Sequence, residues 1–150
     1  MMRRWTSPPL ERPDPGTAPV TRADLVFYGV DHSGPSFEGL AFLNNPDAGP
    51  DTPRTSANGY AGSFTVFGHG GCFGDEGHCH VVERPVDPYD LRPPHPLEPW
   101  TLTVIATEAL SAIETAEVTV TVVAVVPEEE HAEGSDVLSL DHVRLALYAA

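Results

Sequence analysis

"VTVTVVAVVP", residues 118–127, decides the fold class. Valines and threonines alternate through its first half, and β-branched residues are stiff at χ1 and suit a pleated strand better than a helix. A residue-to-residue alternation predicts a strand with threonines on one face and valines on the other, ended by Pro127, which cannot extend a ladder. The run is far shorter than the ~20 apolar residues that span a bilayer.

The same two-residue period recurs on either side. "DLVFYGV" (24–30) sets Leu25 and Phe27 against Val26, Tyr28 and Val30, a strand apolar on both faces. "SFEGLAFLN" (36–44) follows and runs into the turn residues "NNPDAGPDTP". In "GYAGSFTVFGHG" (59–70) Phe64 and Val66 share one face, Thr65 and Phe67 the other. "HCHVVER" (78–84) can resume as a strand, and "WTLTVIAT" (100–107) sets Leu102 and Val104 against Thr101 and Thr103. "HVRLALYA" (142–149) closes the chain with Val143, Leu145 and Leu147 inward and Arg144 outward. "ATEALSAI" is the one helical stretch.

Between these lie segments that cannot be strand interiors. "PVDPYDLRPPHPLEP" (85–99) holds six prolines and reads as a surface excursion. "EEEHAEGSD" (128–136) is an acidic connection. Residues 1–22 contain five prolines and no periodicity, and read as a flexible, partly extended leader. The expected architecture is all-β: an antiparallel β-sandwich or flattened barrel of six to seven strands with one short helix, in one domain over 23–150.

Composition excludes several partners. With 22 Asp and Glu against 8 basic residues, all arginine, the net charge is −14. Nucleic acids and anionic membranes both need basic surface, so neither is expected. The lysine-free, Ala-, Pro- and Gly-rich composition suggests a bacterial GC-rich genome. "MMRRW" is followed by prolines rather than an apolar stretch, so no signal peptide is expected. A soluble cytoplasmic chain is the expectation, or one exported with a partner.

Chemistry concentrates in "GHGGCFGDEGHCH" (68–80), which holds both cysteines and three of the seven histidines. Cys72 and Cys79 could close a disulfide worth about 2.5 kcal/mol by chain entropy, which a reducing compartment would oppose. The candidate metal ligands are His69, Cys72, His78, Cys79 and His80, donors that suit Cu(I) or zinc. An extended "HCH" would aim His78 and His80 to one side and Cys79 to the other. The spacing matches no standard zinc pattern, so a disulfide or an inert pairing is weighed ahead of metal.

Catalytic signatures are absent: no G-x-S-x-G, no P-loop, no dinucleotide fingerprint. "DHSGPS" (31–36) reads as a turn, since triad members usually come from separate elements. No two histidines are three or four residues apart, so no helix here presents two imidazoles on one face.

Taken in order, "LAFLNNP", "YAGSF", "ATEAL" and "VTVTVVAVVP" resemble the C-terminal β-domain of tyrosinases and polyphenol oxidases, over about residues 24–149. The resemblance implies an accessory domain. In that family a separate helical domain holds two coppers through six histidines, and the β-domain covers the copper entrance and inserts a side chain into it. The implied partner is a tyrosinase-type copper oxidase catalytic domain, with no cofactor required by this chain itself and copper as the candidate ion. Phe73 is the candidate plug, with Tyr89 and Trp100 as others. A cysteine pair in this region of some relatives is associated with copper loading, which makes copper delivery through Cys72 and Cys79 the second implied role. A binding or structural sandwich unconnected to copper is the third.

Overall fold

The computed structural model describes residues 3–69, 89, 98–127 and 137–150. Among these residues nine strands and one α-helix run in the order β1 (Arg4–Thr6), β2 (Leu10–Glu11), β3 (Val20–Val30), β4 (Phe37–Leu43), β5 (Tyr60–Val66), β6 (Trp100–Ile105), α1 (Thr107–Ser111), β7 (Glu117–Val118), β8 (Val120–Val125) and β9 (His142–Ala149). A four-stranded sheet of order β1-β8-β4-β5 faces a three-stranded sheet of order β6-β3-β9, and β2 pairs with β7 apart from both. All pairings are antiparallel. The all-β sandwich expected from the alternation is the architecture found, and its sheets do not close into a barrel.

The core between the sheets is built from alternate residues. β3 contributes Leu25 and Phe27, β5 contributes Phe64 and Val66, and β8 contributes Val120, Val122 and Ala124. Phe27 and Phe64 meet across the interface at 5.1 Å between ring centroids. One detail departs from simple alternation. Val30 lies on the core side with Leu25 and Phe27, not with Val26 and Tyr28. The register shifts between Phe27 and Val30, where Gly29 adopts φ 67°. The Asp141 side chain occupies the space a Cβ on Gly29 would need. A β-bulge of this kind adds a residue and reverses which face the following side chains take.

Two further expectations need correction. The first concerns 118–127, which is not one strand. Thr119 leaves the ladder because Asn44, with φ 50°, engages both its backbone groups: Asn44 N–H donates to Thr119 O, and Thr119 N–H donates to Asn44 Oδ1, each at 2.9 Å. The face that carries the threonines is covered as well, and Thr121 is fully buried. The outward side of β4 and β8 carries a second apolar cluster of Leu40, Phe42 and Val123, covered by Ala48 from the 44–55 loop.

The second correction concerns residues 1–22. Part of the stretch expected to be a flexible leader is strand, and β3 begins at Val20. β1 zips onto the outer edge of β8, with Trp5 opposite Val122. Ser7 locks the join: its N–H donates to Val120 O at 2.8 Å and its Oγ accepts from Val120 N–H at 2.9 Å. An uncovered edge is a row of unpaired donors and acceptors, and even a proline-rich extended chain can satisfy it where its prolines fall outside the short strands. Pro8 and Pro9 sit between β1 and β2.

Candidate functional site at the root of the glycine loop

At one end of the sandwich β3 runs out into the turn 31–36, β5 into Gly68 and His69, and β6 begins at Trp100. The turn is held by its own polar groups. Asp31 Oδ1 accepts from Ser33 N–H at 2.9 Å, and Ser33 Oγ donates to Asp31 Oδ2 at 3.0 Å. Asp31 and Ser33 therefore serve each other, which is turn chemistry and not a triad.

His32 is the informative member. Only 1% of it is exposed, because the parity restored after the bulge carries it inward two residues beyond Val30. Its ring stacks on Trp100 at 4.0 Å and 18°. Its Nε2 lies 2.8 Å from Glu98 O, and its Nδ1 lies 3.3 Å from Nδ1 of His69. The backbone of His69 is tied to the same residue, its N–H donating to His32 O at 2.9 Å. Gly68 is pressed against the turn: a Cβ there would stand 2.1 Å from Gly34 O, and its N–H donates to Ser36 Oγ at 3.1 Å.

These partners dictate the proton positions of the neutral pair. A carbonyl oxygen only accepts, so His32 Nε2 carries the hydrogen and His32 Nδ1 offers a lone pair. His69 Nδ1–H then points at His32, shared between His32 Nδ1 and His32 O at 3.4 Å. In that neutral tautomer the free lone pair of His69 is on Nε2, and the residue is half-buried. That is the arrangement in which an imidazole serves as a metal ligand or base, its other nitrogen held by a hydrogen bond.

Of the candidate ligands, His69 is thus placed at the loop root, while Cys72, His78, Cys79 and His80 lie outside the described residues, as does the candidate plug Phe73. Among the described residues no three His, Cys, Asp or Glu side chains gather as a metal-binding group. Trp100 is not a free aromatic, being half-buried against His32. Tyr89 is 89% exposed and Phe67 72%. His142 stacks on Tyr28 at 4.7 Å, at the same end of β3.

Sequence reading missed His32 as a partner of His69, and the signal was available. Trp100, Leu102 and Val104 share one parity, which turns Trp100 inward with the core. His32 has the parity of Val30, once the Gly29 bulge is allowed for.

No protein-family profile matches this sequence, and no curated protein matches it. Solved structures do match. Recombinantly expressed latent aurone synthase, a polyphenol oxidase, superposes with a TM-score of 0.57 over 98% of this chain at 16% identity. Latent aurone synthase from natural source gives 0.56 over 98% at 16% identity. This chain spans about a quarter of those chains, 24% and 25%. At such identity the likeness is one of fold, and it is the fold to which the sequence resemblance pointed.

Proposed function

We propose that this chain is an accessory β-domain that docks on a type-3 copper oxidase of the tyrosinase kind and restrains access to it, acting by contact and not by chemistry of its own. One observation carries the reading: nearly the whole chain shares its fold with about a quarter of a latent polyphenol oxidase. Phe67 and Tyr89 are the two most exposed aromatic side chains among the described residues, and would reach a partner's surface. Phe67 leads directly into the loop root, where the N–H of Gly68 donates to Ser36 Oγ and that of His69 to His32 O. Titrating this chain into a tyrosinase-type catalytic domain should lower catechol oxidation saturably, and Phe67→Ala should raise the concentration needed. Oxidase activity that is the same with and without this chain would refute the reading.

Copper handling is the second reading, and the His32–His69 geometry favours it. His69 Nε2 would be one donor, with Cys72, His78, Cys79 and His80 supplying the others. A copper ion bound there would be cargo, passed on by ligand exchange. Cu(I) titration separates the readings. Affinity lost in Cys72→Ser/Cys79→Ser and reduced in His69→Ala is expected for handling, and affinity unchanged in both ends it while leaving docking intact.

A further inference from the structure

An open sheet has two edges, and an uncovered edge is a template for another strand. Among the described residues the edges of the two main sheets are β1, β5, β6 and β9. Three of them are blunted. β1 is three residues long. β5 is broken by a register shift at Ala41 and Phe42, opposite Gly62 at φ 145°. Gly62 also sits so close to β6 that a Cβ would stand 2.7 Å from Val104 Cγ1, so β5 and β6 close on each other along one side. β9 is different. It runs eight residues without glycine or proline, and among the described residues its only ladder partner is β3. Its register against β3 is unbroken from Tyr148 to His142. Arg144 is its single arginine, and no acid lies within it although the chain has 22.

We propose that β9 is a self-complementary edge that pairs antiparallel with β9 of a second copy of this chain across a twofold axis. Along any strand the backbone groups of alternate residues turn away from the existing partner. In a symmetric pair those residues must meet one another, so the axis passes at a residue and not between two. With the axis at Leu145, Arg144 faces Ala146 of the second copy and His142 faces Tyr148. With the axis at Ala146, Arg144 faces Tyr148, a cation beside a ring. In either register no like charges stand directly opposite, so the cross-strand penalty for such pairs does not arise. A single charge met by neutral neighbours fits a copy of itself, whereas an acidic foreign strand would be favoured by several arginines. One strand pair alone falls below the ~1,200 Å² of a standard interface. The association is therefore weak, and the −14 charge of each copy opposes it until salt screens the repulsion. This inference stands apart from the docking reading.

Sedimentation velocity over a concentration series up to about 1 mM, at low and high salt, tests it, the dimer strengthening as ionic strength rises. Arg144→Glu/Ala146→Glu sets a glutamate against a glutamate in both registers. Arg144 is exposed and Ala146 half-buried, so the circular dichroism spectrum should hold while association weakens at least ~10-fold. Hydrogen exchange of the native protein supplies a check that needs no variant: β9 amides should gain protection with concentration. A monomer at the highest concentration in high salt overturns the proposal. So does a dimer indifferent to the double substitution, or one formed without protection of β9, which would put the contact elsewhere or with another occupant.

Discussion

The two sheets of this sandwich differ in how many of their faces are dry. In the β1-β8-β4-β5 sheet one face meets the core through Val120, Val122 and Ala124, and the other packs Leu40, Phe42 and Val123 beneath Ala48. In the β6-β3-β9 sheet the inward residues Leu25, Phe27 and Val143 are buried, while the outward ones include Ile105, 59% exposed, and Tyr148, 50% exposed. Sheets buried on both faces read as continuous apolar runs and those buried on one face as alternation. β4, "FEGLAFL", and β8, "VTVVAV", are of the first kind; β6, "WTLTVI", is of the second. The difference teaches that a run of valines marks a strand with a cover on its back, even where threonines interrupt it.

The strongest way to break that comparison is to truncate one outward residue on each sheet. Phe42, fully buried and set edge-on to Tyr60 at 5.5 Å, should lose about 3–5 kcal/mol on Phe42→Ala. Ile105→Ala should stay within about 0.5 kcal/mol. Urea unfolding measures both, and equal losses would mean that the two outer faces do not differ.

A somewhat smaller effect is expected where the sheets are stapled together at the loop root. His32 leaves β3 and His69 leaves β5, so their contact bridges the two sheets. His32→Ala removes the ring stacked on Trp100, leaves Glu98 O without its partner and leaves His69 Nδ1 only the backbone oxygen of residue 32, at 3.4 Å. A loss of about 2–3 kcal/mol follows from the cavity and the orphaned groups. In a Trp5→Phe background, Trp100 emission should shift to the red. Unchanged emission and stability would show that the pair does not hold the root.

Ser7→Ala sharpens the edge side of the comparison. Losing the acceptor for the Val120 amide should cost about 1 kcal/mol and raise hydrogen exchange across residues 4–6. If exchange there is unaltered, the Ser7 bond does not fasten β1 to β8.

The smallest effect concerns the outward salt bridge on β4. Arg54 Nη1 and Nη2 donate to Glu38 Oε1 and Oε2 at 2.9 and 2.8 Å. Hydrogen bonding from Arg54, ahead of burial acting the other way, holds the Glu38 carboxyl below its ordinary value. A depressed folded pKa gives stability that is complete above the unfolded value, near ~4.3, and that fades as pH falls through the lower folded one. Glu38→Gln should therefore cost less than about 1 kcal/mol at neutral pH, given the solvent exposure of the pair, and flatten the acid limb of the stability profile. A cost independent of pH would point to packing and not to charge.

Much of this was legible in the sequence because alternation is a local signal. β4, β5, β6, α1 and β9 fall within the stretches whose pattern marked them, and β3 extends its marked stretch, 24–30, back to Val20. What was not legible depended on contacts far apart in the chain. Nothing in "VTVT" tells that Asn44, about 75 residues earlier, takes Thr119 out of the ladder. Nothing in a proline-rich start tells that an edge of β8 waits for it. The bulge at Gly29 is similar: a glycine in a strand signals irregularity, but its consequence for Val30 and His32 needs the opposing Asp141. For the candidate site, the chemistry of residues 68–80 was visible from residue types alone. The burial of His32 against Trp100 was hidden by its place in a turn-like "DHSGPS".

By itself the sequence determined the class of fold, since side-chain alternation and turn residues act between neighbours. It also determined the acidic, lysine-free surface and the concentration of thiols and imidazoles in one glycine loop. The tertiary structure decided which faces are covered, where the first residues attach and which ring nitrogen of His69 faces His32. Each of these rests on backbone or ring atoms brought together from distant positions: Asn44 with Thr119, Ser7 with Val120, and His32 with His69 and Glu98. Hydrogen bonds select partners by distance and angle, and those do not exist until the chain has folded.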